Sequence, residues 1–326
     1  MKKTYIFPTD YMADPSVHVW DGRLYIYPSH DRESGIPEND NGDHFDMQDY
    51  HVLSTDDLEA VIRGEKQLED HGVCLSVSDI PWHGRQLWDC DVQRKDGHYY
   101  MYFPLKDQND IFRFGVAVGD RPEGPFRPQP DPMRGSYSID VAAFRDDDGQ
   151  YYFYFGGIWG GQLQRYRDNK AIEHPCLPAP GEPALPSRVA RLSDDMLQLA
   201  EEPRPVVILG QDGRPLTADD PHRFFEASWM HKYQGLYYFS YSTGDTHQLC
   251  YATGNSPYGP FTYRGVILTP VVGWTTHHSI VEFRGRWYLF HHDSVPSGGR
   301  TWLRSLKVCE LTYRLDGTIE TIEGMD

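Results

Sequence analysis

The sequence has no apolar run long enough to cross a bilayer, no CxxC pair, no HExxH motif and almost no helical periodicity. A membrane-spanning helix needs about 20 mostly apolar residues. The N-terminal stretch MKKTYIFPTDYMADP opens with two lysines, but Pro8, Thr9 and Asp10 cut its apolar segment short of a signal-peptide core. The expectations are cytoplasmic residence and no membrane partner. The five cysteines are scattered and odd in number, which fits buried thiols in a reducing compartment better than a disulfide framework. Positive charge is scarce: 31 Lys and Arg stand against 48 Asp and Glu, a formal net charge of −17. Phosphate backbones would be repelled over most of such a surface, so no nucleic-acid partner is expected. A neutral sugar is indifferent to that field.

Aromatic residues and glycine turns are abundant, and they recur together. Five segments share one pattern, a strand-like run, a turn with glycine, then an aromatic-rich strand: VHVWDGRLYIYPS, VQRKDGHYYMYFP, AAFRDDDGQYYFYFG, SWMHKYQGLYYFSYS and VEFRGRWYLFHHD. Their turn glycines are Gly22, Gly97, Gly149, Gly235 and Gly285, and the first three follow an aspartate, a strong hairpin signal. Further strand-like runs (FRFGVAV, SRVARL, QLCYAT, SLKVCELTY) bring each unit to about four strands. Only the segment from Asp56, DDLEAVIRGEKQLE, reads as a helix. Repeated four-stranded units close into a propeller, which leaves only short protected edges. The prediction is an all-β fold: residues 1–326 form a single five-bladed β-propeller, with four antiparallel strands per blade. Uneven glycine spacing implies insertions, visible at 30–50 and 175–186. A β-sandwich is the rival, but it has no reason to repeat one hairpin five times.

Counting back from each turn glycine gives a second regularity. Asp14 and His277 lie eight residues ahead of theirs, Asp140 and Glu226 nine, and Asp91 six. In a propeller the first strand of each blade lines the axis. These side chains are therefore expected to converge at one mouth of the channel. Crowded carboxylates repel one another and push a pKa upward, as glycoside hydrolysis requires: one carboxylic acid protonates the leaving oxygen and one carboxylate activates water or attacks the sugar. The adjacent histidines, His277-His278 and His291-His292, would point to opposite faces of a strand, which argues against a histidine-built metallohydrolase. Trp88 is the leading candidate for stacking on a sugar, ahead of Trp159 and Trp274. His30, with Asp31, follows the outgoing strand of the first hairpin and is expected in the pocket.

At these residues the chain resembles glycoside hydrolase family 43. The carriers are MADPSVHVWDGRLYIYPSHD, WDCDV, SIDVAAFRDDDGQYYFYFG, FFEASWMHKYQGLYYFSYS and HHSIVEFRGRWYLFHH, in order along nearly the whole chain. WDCDV departs from the family's Trp-Ala-Pro-Asp at Asp89 and Cys90; Asp91 matches its aspartate and is expected to face the site. The resemblance implies an inverting single displacement, with Asp14 as general base, Glu226 as general acid and Asp140 raising and orienting that acid. It also implies sugar contact by Arg304 and a calcium ion at the axis near His277, with no organic cofactor. The first blade looks most like arabinofuranosidases and xylosidases. The expected activity is exo-release of α-L-arabinofuranose, or β-D-xylose, from arabinoxylan or arabinan oligosaccharides. The alternatives are β-xylosidase as the main activity and a non-catalytic carbohydrate-binding propeller.

Overall fold

In the computed structural model, which describes residues 3–274 and 276–325, the five hairpins become five small sheets in a ring. Their inner strands are Met12–Trp20, Asp91–Lys95, Ala142–Arg145, Phe224–Tyr233 and Ser279–Phe283. Each touches the next, and the fifth touches the first. Each pairs antiparallel with the aromatic strand of its own hairpin. In four hairpins the two turn residues both have positive φ, as at Asp21 (52°) and Gly22 (78°). That is the tight turn whose twist matches paired strands. The third hairpin spends five residues, 146–150, on its turn.

The ring is closed by the chain's own beginning. Thr4–Tyr5 pairs with Ser305–Leu311, so the outer strand of blade five comes from the N-terminus. Tyr5 Oη donates to Asp293, which also accepts from the buried Lys307 ammonium at 2.8 Å. Apolar packing runs between blades: Tyr102, Phe114 and Phe153 mesh across blades two and three. Cys74, Cys90, Cys250 and Cys309 are buried free thiols and Cys176 is exposed.

The helix expected from Asp56 is shorter than its sequence pattern. It covers only Leu58–Ile62, capped by Asp57, which accepts from Ala60 N at 3.0 Å. Gly64 then turns with φ of 75°, and the residues from Glu69 are claimed by the outer strand of blade one, Glu69–Ser76. Sheet pairing outweighs the local helical preference there. No helix among the described residues is long and apolar enough to cross a membrane.

Candidate active site

The inner strands begin irregularly, and the irregularity aims the acids. Asp14 has φ of 47° beside a bulge between Ala13 and Ser16. Asp140 has φ of 60° just ahead of its strand. Glu226 sits between two register breaks, with Ala227 at φ 61°. Bulges re-aim side chains at barrel and sheet rims, and aspartate tolerates the left-handed region better than most residues. The three carboxylates thereby reach one cavity of about 490 Å3, whose wall also holds Trp88, Asp89, His277 and Arg304.

Main-chain N–H groups tie the acids round the ring. Asp89 of blade two accepts from Asp140 N (3.2 Å) and Val141 N (3.0 Å) of blade three. Asp140 accepts from Ala227 N of blade four at 2.6 Å. Asp14 N donates to His292 Nδ1 of blade five at 3.1 Å. Asp14, Asp89 and Asp140 are thus both site groups and struts between neighbouring blades.

The environments drive the acids apart. Burial opposes ionisation of Asp14, but Arg304 Nη1 at 2.7 Å, with His292 and His277 nearby, outweighs it and holds the carboxyl at about 2. Asp140 lies well above the ordinary range, through burial first and then through Asp89 and Glu226. Asp89 is pushed to about 8 by burial and by the charge of Asp14. Arg304 is itself anchored: its Nε and Nη2 fork onto Asp31 at 2.9 and 2.7 Å. One carboxylate kept ionised beside others that hold their protons is the pattern of acid–base hydrolysis.

The family 43 glycosyl hydrolase model matches residues 6–319. The chain belongs to glycosyl hydrolase family 43. A xylosidase/arabinosidase of Bacteroides ovatus is 73% identical over 326 residues, covering 100% of this chain and 99% of that one. A β-xylosidase of Xylanibacter ruminicola is 62% identical over 323 residues, covering 99% of this chain and 100% of its own. A β-xylosidase/α-arabinofuranosidase from a compost metagenome, solved calcium-free with xylotriose, matches with a TM-score of 0.94 at 58% identity, over 99% of this chain and 98% of that one.

This family 43 glycosidase places Asp14, Asp140, Glu226, Trp88, Arg304 and His277 in the cavity wall. Trp88 is held there by its indole N–H on Phe45 O at 2.8 Å. Two expected substrate contacts lie elsewhere. Asp91 is fully buried and spends its oxygens on Ser16, His18, Val92 N and Ala143 N, binding three blades together. Asp89 faces the cavity instead. Asp89 is eight residues ahead of Gly97, the count that Asp14 and His277 obey; a strict count finds it, whereas the family motif points to Asp91. His30 also turns away, toward Asp49 and Asp10. Its neighbour Asp31 turns inward to Arg304, because successive residues on an extended chain face opposite sides. The same alternation sends His277 into the cavity and His278 to Ser240 Oγ at 2.6 Å.

Asp89, Asp140 and His277 present ligand atoms within 4.8 Å of one another. The two buried carboxylates are oxygen ligands of the kind a hard divalent cation takes, and His277 would stand beside it, in contact directly or through water.

Proposed function

We propose that this glycosidase removes single pentose units from the ends of xylo-oligosaccharides by one displacement with inversion, β-D-xylose first and α-L-arabinofuranose as a second leaving sugar. The observation that carries the reading is the split between Asp14, held at about 2, and Asp140, pushed upward beside Glu226 in one cavity. Asp14, already ionised, takes a proton from the attacking water. Glu226 delivers its proton to the glycosidic oxygen; Asp140 beside it makes a second charge in the pair costly, so the pair retains a proton, and Asp140 orients the acid. Arg304 keeps Asp14 ionised and fixed. The 30–50 insertion walls one side of the cavity through Phe45 and the Gly42 turn, which favours end-on cleavage. The relatives named for xylosidase activity, and the xylotriose bound by the metagenomic enzyme, support xylose as the first sugar.

Asp89, Asp140 and His277 would hold a divalent cation such as calcium at the axis. Bound there, it supplies positive charge that offsets the packed carboxylates.

Proton NMR of 4-nitrophenyl β-D-xyloside hydrolysis tests the proposal, because the phenol departs and the transferred xylose is the sole sugar released. The first xylose detected is expected as the α anomer, before mutarotation. β-Xylose appearing first overturns inversion, and absence of turnover on xylosides and arabinofuranosides overturns the reading as a whole.

A further inference from the structure

A second group of histidines and aspartates lies on blade one, and none of its members lines the cavity. Strand pairing assembles it. Ser29 pairs with Tyr50, so His30 falls opposite Asp49, and His51 shares the face of Asp49 two residues on. Asp10 approaches from the loop before the inner strand, and Asp70 comes from the outer strand Glu69–Ser76. The three outer strands of the blade and the loop ahead of its inner strand thus contribute to one polar row.

The hydrogen bonds within the row are directional. His51 Nδ1 lies 2.9 and 3.2 Å from the two oxygens of Asp70. A carboxylate only accepts, so Nδ1 is the donor to Asp70 and Nε2 is the ring nitrogen left for another partner. Nε2 lies 4.0 Å from Asp49 Oδ1, too far for a hydrogen bond. Zinc–nitrogen and zinc–oxygen bonds of about 2.0–2.1 Å put two tetrahedral ligand atoms about 3.4 Å apart, so a small closure lets one ion bridge this pair. His30 is held differently: Nε2 meets Asp10 Oδ2 at 3.2 Å, and Nδ1 makes a direct hydrogen bond with the same Asp49 Oδ1 at 2.6 Å, a bond that an ion between them would replace. The two rings stand edge to face with centroids 4.7 Å apart. Each imidazole therefore has an outer carboxylate on one nitrogen and Asp49 on the other. Outer carboxylates of this kind fix the tautomer and orientation of metal-bound histidines.

We propose that His30, His51 and Asp49 form a site for a borderline divalent cation of the zinc class, with Asp10 and Asp70 as outer partners and solvent at the fourth position. Imidazole nitrogens with a carboxylate oxygen suit zinc, cobalt or nickel better than calcium, which takes oxygen shells. The three inner ligand atoms already lie within 4.8 Å of one another. All three side chains are partly open, at 23, 15 and 26% exposure for His30, His51 and Asp49, so an ion has a path in. The net charge of −17 adds a general attraction for cations.

Cobalt(II) is the probe, because tetrahedral binding to nitrogen and oxygen gives visible absorption independent of turnover. The metal-stripped full chain is expected to take up one equivalent into such a site and to release it to zinc. His51→Gln and His30→Gln, each checked by circular dichroism, should abolish the signal, and Asp89→Asn should keep it. No visible band in the wild-type chain overturns the proposal. So does a band that survives both histidine substitutions, or one lost only with Asp89. If His51→Gln does not fold, the His30→Gln and Asp49→Asn titrations decide on the same criterion.

Discussion

Arg304 reaches Asp14 with one guanidinium nitrogen, at 2.7 Å, across 290 residues of chain. The other end of the same guanidinium is locked on Asp31. The arginine is therefore a fixed charge, and the ionised state of Asp14 depends on it. Lysine would keep a positive charge but lose the fork. Arg304→Lys is expected to lower kcat/KM by roughly 10²-fold or more, in the range seen when one preorganised charge-stabilising donor is removed. The acid limb should also move to higher pH, because burial then acts on Asp14 with less opposition. An unmoved acid limb, in a folded variant assayed from pH 3 to pH 8, would show that Arg304 does not set the state of Asp14.

Glu226 is assigned the proton donor. A donor matters most when the leaving group is a poor one. Glu226→Gln should cost roughly 10²–10⁴-fold on xylobiose, the usual worth of positioned proton transfer. The loss should be much smaller on an aryl xyloside whose phenol leaves without help. Equal losses on both substrates would remove Glu226 from that role.

Gly42 lies under Trp88. It has φ of 70°, and a Cβ there would come within 2.8 Å of the Trp88 ring. Gly42→Ala must displace the indole or unwind the turn. A rise in KM with little change in kcat is expected, since Trp88 touches the cavity wall and not the reacting carboxylates. A changed kcat at constant KM would contradict this.

Asp146, buried between blades three and four, accepts from Lys232 Nζ at 3.0 Å and Tyr237 Oη at 2.6 Å. Burial opposes its charge, but these donors prevail and lower its pKa. A lowered carboxylate stabilises the fold above its unfolded pKa of about 3.9. That stabilisation is lost as pH falls through the folded value. Asp146→Asn should therefore cost about 1.5–3 kcal/mol at pH 7, the range for hydrogen bonds to a charged group. The difference in Tm between the two proteins should shrink below pH ~4. A difference that stays constant down to pH 3 would argue that shape, not charge, holds this junction.

Much of the architecture is local and so was readable. The hairpin turns, the aromatic strands and the ionisable residues eight or nine ahead of each glycine, four acids and His277, repeat because each blade solves the same local problem. The Asp56 segment shows the limit, since its helical pattern yields to a strand that only the neighbouring sheet demands. Asp91 and His30 show the limit within the site. Each lies one or two positions from a residue that does serve the site, Asp89 in the cavity wall and Asp31 behind Arg304. The choice depends on where pleating begins, and the bulges and positive-φ residues ahead of the inner strands move that point.

The repeat, the turn geometry and the kinds of side chain offered to the axis are written in short stretches of chain, because they follow from φ preferences and strand period over a few residues. Closure of the ring decided which of them meet. Arg304 with Asp14, Asp89 with Asp140, and Thr4–Tyr5 with the last blade are contacts whose partners come from different blades. No short-range rule encodes them, since each exists only once five sheets have packed around a common axis.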